Sequence, residues 1–147
     1  MKKTFLLIIA IIFFLPTVIF ANLQPTMQLV GQADFRYMGI IKVYSAQFLV
    51  EPTKSTDLLS TETSRCLQLN YHVEIEAAQL AEAANTVLAR QLVPEKIDEL
   101  SKDIVQLHEA YRDVQEGDSY SLCYSAEQQL TTLSLNNQLL TSIQSAE

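Results

Sequence analysis

The sequence predicts an α+β domain in which helices pack on one face of an antiparallel β-sheet. Three observations carry that prediction. Residues 27–50 are rich in β-branched and aromatic residues and read as strand. Residues 76–111 carry apolar side chains at helical spacing. Residues 120–143 return to alternation and end in a hairpin pattern. Strands, then two helices, then strands is the order of a sheet with helices laid on one face.

The chain opens with an export signal. Lys2 and Lys3 form a positive start, residues 5–15 are unbroken apolar, Pro16 ends that run, and Ala21 offers a small residue at a cleavage site. The alternative is an uncleaved anchor, but the 17 residues of 5–21 lie at the short limit for a bilayer core of ~30 Å. We therefore expect residues 1–21 to be a signal peptide, with residues 22–147 the working domain, periplasmic or secreted. No later stretch is long and apolar enough to span, so no stable membrane insertion is expected after cleavage. Cleavage leaves 126 residues, enough for one domain with its own core. Without Lys2 and Lys3, eight basic residues face 17 Asp and Glu, a net charge of −9. That surface repels phosphate backbones, and no basic run offsets it, which excludes nucleic-acid binding.

In the first strand region a break is expected near Gly31 or Gly39. Residues 36–50 carry apolar side chains at even and odd positions, so this strand is expected to be central and at least partly covered on both sides. Residues 51–64 form a polar loop with Pro52. Residues 66–73 form a cleaner strand, with Leu67, Leu69 and Tyr71 alternating with Cys66, Gln68 and Asn70. The first helix starts near Glu76 and presents Leu80, Ala84, Val87, Leu88 and Leu92. Pro94 suits the first turn of a second helix, where its missing N–H costs nothing. Glu95, Asp98 and Glu99 lie near the positive end of that helix. Ile97, Leu100, Ile104, Leu107 and Tyr111 form its apolar stripe, expected to pack on the sheet. Glu116, Gly117 and Asp118 make a turn. Tyr120, Leu122 and Tyr124 alternate in the next strand. Asn136 and Asn137 join the last two strands, since both tolerate the positive φ of a type I′ turn.

Several side chains are candidates for chemistry. Arg36, Lys42 and Tyr44 share parity, so one regular strand would set them on one face. Lys42 and Tyr44 would stand ~6.6 Å apart and Arg36 ~20 Å from Lys42. They could hold an anionic head group by an arginine fork and a lysine charge. The plainer reading is a lysine reaching solvent and a tyrosine in the core. Cys66 and Cys123 are the only cysteines, and neither lies in a CxxC, which argues against a redox motif or zinc knuckle. Each has the parity opposite to the apolar set of its own strand. If both apolar sets face the helices, the cysteines share the other side of the sheet. They pair if their strands are neighbours, and are two free thiols if not. His72 and His108 lack metal-ligand spacing, and the three scattered glycines make no phosphate loop, so neither metal nor cofactor is expected.

Four blocks, GQADFRYMGIIKVYSAQFLV at 31–50, LQLNYHVEIEAAQLAEA at 67–83, VQEGDSYSLCY at 114–124 and LSLNNQLLTSI at 133–143, together resemble the bacterial exported chalcone isomerase-like domain proteins. The resemblance implies a large antiparallel sheet with helices packed on it and a cleft between. The family includes plant enzymes that close a chalcone to a flavanone and non-catalytic relatives that bind fatty acids. Aligned on the plant strand, Tyr44 takes the place of the catalytic threonine and Gln32 that of the arginine that polarises the substrate. Asn85 and Arg90 do not reproduce the spacing of the plant cluster on the helices. Relatives continue into a phenylalanine-rich helix and a tryptophan-containing segment. The resemblance therefore implies either a fragment or a domain without its closing helix. The expected function is a non-catalytic binder of a small amphipathic ligand, a fatty acid or a phenolic compound. The alternatives are an intramolecular lyase of the chalcone isomerase type and a periplasmic interaction protein.

Overall fold

A computed structural model of the chain describes residues 27–52 and 57–144. The export segment read at 1–21 lies outside them. Six strands run in chain order: β1 (Gln28–Tyr37), β2 (Ile41–Val50), β3 (Arg65–Tyr71), β4 (Ser119–Ser125), β5 (Leu130–Leu135) and β6 (Gln138–Gln144). Each pairs antiparallel with its neighbours in sequence, giving one sheet of order β1-β2-β3-β4-β5-β6. Three helices, α1 (Ala77–Gln91), α2 (Pro94–Glu99) and α3 (Ser101–Ala110), form an excursion between β3 and β4. The α+β architecture expected from the sequence is the one observed.

Residues 36–50 are not one strand. Met38 and Gly39 have φ of 50° and 74°, and they turn the chain into a hairpin of β1 and β2. Gly39 tolerates that backbone because it has no Cβ. At Gly31 the strand continues, with a bulge between Leu29 and Gly31. The region expected to be central and covered is thus an exposed edge strand, β1, beside a half-buried second strand, β2. The type I′ hairpin is as expected: Asn136 and Asn137 have φ of 51° and 66°. The Asn136 side chain accepts from the Ser119 N–H at 2.9 Å and donates to Asp118 at 2.8 Å, tying this turn to the start of β4. These contacts hold the Asp118 carboxyl below the ordinary range, with the Asn136 amide foremost and the Gln115 N–H second.

Helix α1 begins with a capping box between Glu76 and Gln79, and its Ala77 N–H donates to Asp113 at 2.8 Å. Val87, placed in the apolar stripe by spacing, is exposed. The single second helix expected from Pro94 onward is two. Leu100, at φ −90° and ψ 2°, ends α2 and begins α3. No proline or glycine marks the break. Of the stripe, Leu107 and Tyr111 reach the core, which gathers Tyr71, Ala110, Val114, Tyr120 and Leu133. Residues 57–64 are an ordered strap rather than a plain polar loop. Thr63 and Ser64 are buried, the Tyr124 hydroxyl donates to the Thr61 carbonyl at 2.9 Å, and Arg65 lies 4.7 Å from the Tyr124 ring centre.

His108 stacks on Tyr111 at 5.5 Å, and its Nε2 is buried without a partner among the described residues. Burial lowers its pKa. The unfolded chain then binds the proton more readily than the folded one, so stability is lost as pH falls from about 6.5 toward the folded value. Replacing His108 with leucine should remove that acid loss and raise stability by about 1 kcal/mol, because an orphaned polar atom leaves the interior. Urea unfolding of both proteins at pH 7.5 and 5.5 checks it, and parallel pH dependence would contradict the assignment.

Candidate functional site

The cross-strand register sorts the sheet into two faces. On one face, Gly31, Phe48, Leu67, Leu122 and Leu133 form a row, and Ala33, Ala46, Leu69, Tyr120 and Leu135 form the next. Phe35, Tyr44 and Tyr71 begin a third. This is the face the helices cover, since Leu80, Leu107 and Tyr111 pack against the same cluster as Leu69, Leu122 and Leu135. The cover is uneven. Tyr120 and Leu133 are buried, whereas Leu67 is 37% and Phe35 48% exposed. An apolar strip over β1, β2 and β3 therefore stays open beside the helices.

An aromatic ladder joins that strip to the core. Phe35 stacks on Tyr44 at 5.2 Å, Tyr44 meets Tyr71 edge-on at 5.9 Å, and Tyr71 meets Tyr120 edge-on at 6.1 Å. Tyr111 meets Tyr120 at 6.1 Å. The Tyr120 hydroxyl is fixed by the backbone of Arg112, accepting from its N–H at 2.7 Å and donating to its carbonyl at 3.0 Å. Tyr71 is pushed well above the usual phenol range, first by burial and then by Tyr120, Tyr44 and Tyr111. Burial raises Tyr111 and Tyr120 as well, so Tyr71, Tyr111 and Tyr120 stay neutral near neutral pH and serve as apolar surface.

The other face is polar. Asp34, Ser45, Asn70 and Ser119 form one row, and Gln32, Gln47, Gln68 and Ser121 another. Gln32, Asp34, Ser45, Gln47 and Asn70 line an open hollow there. The Ser45 Oγ lies 2.9 Å from His72 Nε2. Amides and hydroxyls in this number suit water or a polar group, not an alkyl chain.

The structure divides Arg36, Lys42 and Tyr44. The parity argument assumed one regular strand. The turn at Gly39 instead makes Arg36 and Lys42 direct cross-strand partners, so the ~20 Å separation does not arise. A bulge then intervenes: Phe35 pairs with Tyr44 and Arg36 with Lys42, which leaves Val43 as an extra residue in β2. Tyr44 accordingly lies on the apolar face. Lys42 lies with Asp34, at 3.1 Å, and Arg36 approaches the same carboxylate at 3.8 Å. Lys42 foremost, then Ser45, holds the Asp34 carboxyl below its ordinary range. Sequence reasoning missed Phe35, Phe48 and Leu67 as lining. The signal was present in Gly31, Ala33 and Phe35 alternating with Gln32, Asp34 and Arg36, once Gly39 ends the strand.

Cys66 and Cys123 face each other across β3 and β4, are joined by a disulfide, and have Cα atoms 4.0 Å apart. They sit on the polar face, opposite the ladder. Among the described residues, no group of three His, Cys, Asp or Glu side chains could hold a metal ion, and no helix is long and apolar enough to cross a membrane.

A six-stranded antiparallel meander, with helices inserted before its fourth strand and an open apolar strip beside them, is the architecture of a chalcone isomerase-like domain. The chain belongs to the chalcone isomerase-like family, whose pattern matches residues 16–147. It is similar in structure to a fatty-acid binding protein of Arabidopsis thaliana, at a TM-score of 0.64 and 11% identity over 81% of this chain and 73% of that one. No curated protein sequence matches it.

Proposed function

We propose that this protein is an exported, non-catalytic binder of a small amphipathic ligand, with a fatty acid as the first candidate and a phenolic compound as the second. The open apolar strip over β1–β3 carries the reading. It offers Phe35, Phe48 and Leu67 to a hydrocarbon chain, with the Phe35–Tyr44 stack as its floor. The likeness to a fatty-acid binding protein supports the same choice. Tyr44 stays in the proposed site. Arg36 and Lys42 leave it, because they share Asp34 on the far face. The isomerase reading loses support for a related reason. Gln32 and Tyr44, aligned with the plant enzymes' arginine and threonine, lie on opposite faces of the sheet. A substrate cannot meet both.

Leu67→Glu tests the site. At 37% exposure, a side chain at residue 67 reaches solvent, and a carboxylate there would sit in the middle of the strip. Losing one buried leucine contact costs about 1.5–3 kcal/mol, so affinity for a fluorescent fatty acid should fall roughly tenfold or more. Leu67→Met should bind normally. Equal affinity for the glutamate variant, with an unchanged circular dichroism spectrum, would remove the strip from consideration. Incubation with a chalcone should show no loss of substrate.

Export is part of the proposal, supported by Lys2, Lys3, the apolar run 5–15 and Ala21. N-terminal sequencing of protein from an envelope fraction should begin at Asn22. An intact, membrane-embedded Met1 form would instead make residues 1–21 an anchor.

A further inference from the structure

We infer that β1 is a self-association edge, which pairs antiparallel with β1 of a second copy and extends the sheet to twelve strands. The two edges of the sheet differ. Along β6, Gln106 of α3 donates to Thr141 Oγ1 and to the Ser142 carbonyl, so helix side chains occupy that edge. Along β1, only β2 pairs with the strand, and its other edge has no strand among the described residues. All ten residues of β1 are exposed. Among the described residues, seven of the fourteen exposed large hydrophobics lie between residues 29 and 41, on this strand and its turn. Edges that stay monomeric are commonly blunted by lysine, proline or a bulge along the strand. β1 has neither lysine nor proline, and its own bulge lies at its start, which leaves residues 31–37 regular.

The occupant is a second copy because the edge is complementary to itself. The only charges of β1 are Asp34 and Arg36, flanking Phe35. A twofold axis at Phe35 sets Asp34 of each copy against Arg36 of the other. It also sets Phe35 against Phe35 and Tyr37 of each copy against Ala33 of the other, apolar against apolar. Neighbouring registers fail on charge: an axis at Asp34 opposes two aspartates, and an axis at Arg36 opposes two arginines. Both charges are accessible, with side chains 41% and 49% exposed. An even register also continues the polar face with polar and the apolar face with apolar residues, so the proposed ligand strip is lengthened rather than blocked. The interface is isologous and closes at two copies.

Sedimentation velocity on the purified protein over a range of concentrations, with a charge-swap cycle, tests the pairing. The unmodified protein should form dimers. Asp34→Arg and Arg36→Asp should each weaken the dimer by about tenfold or more, since each brings like charges together. The double variant Asp34→Arg/Arg36→Asp should restore it. Phe35→Cys gives an independent readout that needs no charge change. Mild oxidation should link two copies through residue 35, while Gln32→Cys should not cross-link. A monomer at every concentration would overturn the proposal. So would a dimer indifferent to the swaps and not linked through residue 35.

Discussion

Replacing Cys66 and Cys123 with serine should lower the unfolding free energy by about 4 kcal/mol, the chain-entropy value for a loop of 57 residues. The size follows from what the bond encloses. All three helices lie between the two cysteines, and β3 must find β4 across that whole excursion. Every other strand pair joins elements separated only by a turn or by the strap before β3. The β3–β4 pairing is therefore the one whose closure costs most in the unfolded chain, and the disulfide removes that cost there. Folded-state contacts need not change, because the cysteines lie on the polar face and only Leu49 and Thr132 stand beside them in register. Urea unfolding with and without reductant should show a lower midpoint and a steeper slope for the reduced protein, because its unfolded chain, freed of the cross-link, exposes more surface. Coincident curves would deny the bond its role. Complete alkylation of both thiols, without prior reduction, in protein recovered from an envelope fraction would show that it does not form. The bond also depends on location, since a cytosolic pool would keep both thiols reduced.

Much of this fold was legible where one residue type has one backbone use. Pro94 marked a helix start, Asn136 and Asn137 marked a type I′ turn, and the strands-helices-strands order gave the layers. The cysteine geometry was half legible. Parity put both on one side of the sheet, but their adjacency depends on β4 pairing with β3 across the helices, which no local pattern encodes. The candidate ligand set failed on a finer point. A side chain's face depends on counting residues along an unbroken pleat, and one extra residue at Val43 reverses every position before it. Valine is an ordinary strand residue, so the bulge has no signature in the sequence. Leu100 is a similar case: a good helix former that here sits between two helices. The open strip was obscured for another reason. Exposure of Phe35 and Leu67 reflects how far three short helices extend over a six-stranded sheet, and hydrophobic spacing does not encode that reach.

The same uneven cover makes Tyr71 the most sensitive single side chain, and Tyr71→Ala should cost about 3–5 kcal/mol. Tyr71 is 4% exposed and is the rung between Tyr44, at 5.9 Å, and Tyr120, at 6.1 Å. Its backbone is already held, with its N–H donating to Asp118 at 2.9 Å and its carbonyl accepting from Gly117 at 3.0 Å. The β3 end therefore cannot shift to fill the space, and the ring leaves a cavity between the core and the open strip. Tyr44 loses the partner that steadies the strip's floor, so fatty-acid affinity should fall together with stability. Tyr71→Phe separates packing from ionisation. The ring remains, but the hydroxyl whose pKa burial raises is gone. A raised phenol favours the folded state fully below the unfolded value near 10 and loses that advantage as pH climbs above it, because the unfolded chain ionises first. The phenylalanine variant should therefore match the parent protein at pH 7 and lose less stability between about pH 10 and 11. Tyr111 and Tyr120, raised by burial as well, should leave part of the alkaline loss in place. Equal stability of the alanine variant and the parent in urea would mean that the ladder does not link the strip to the core.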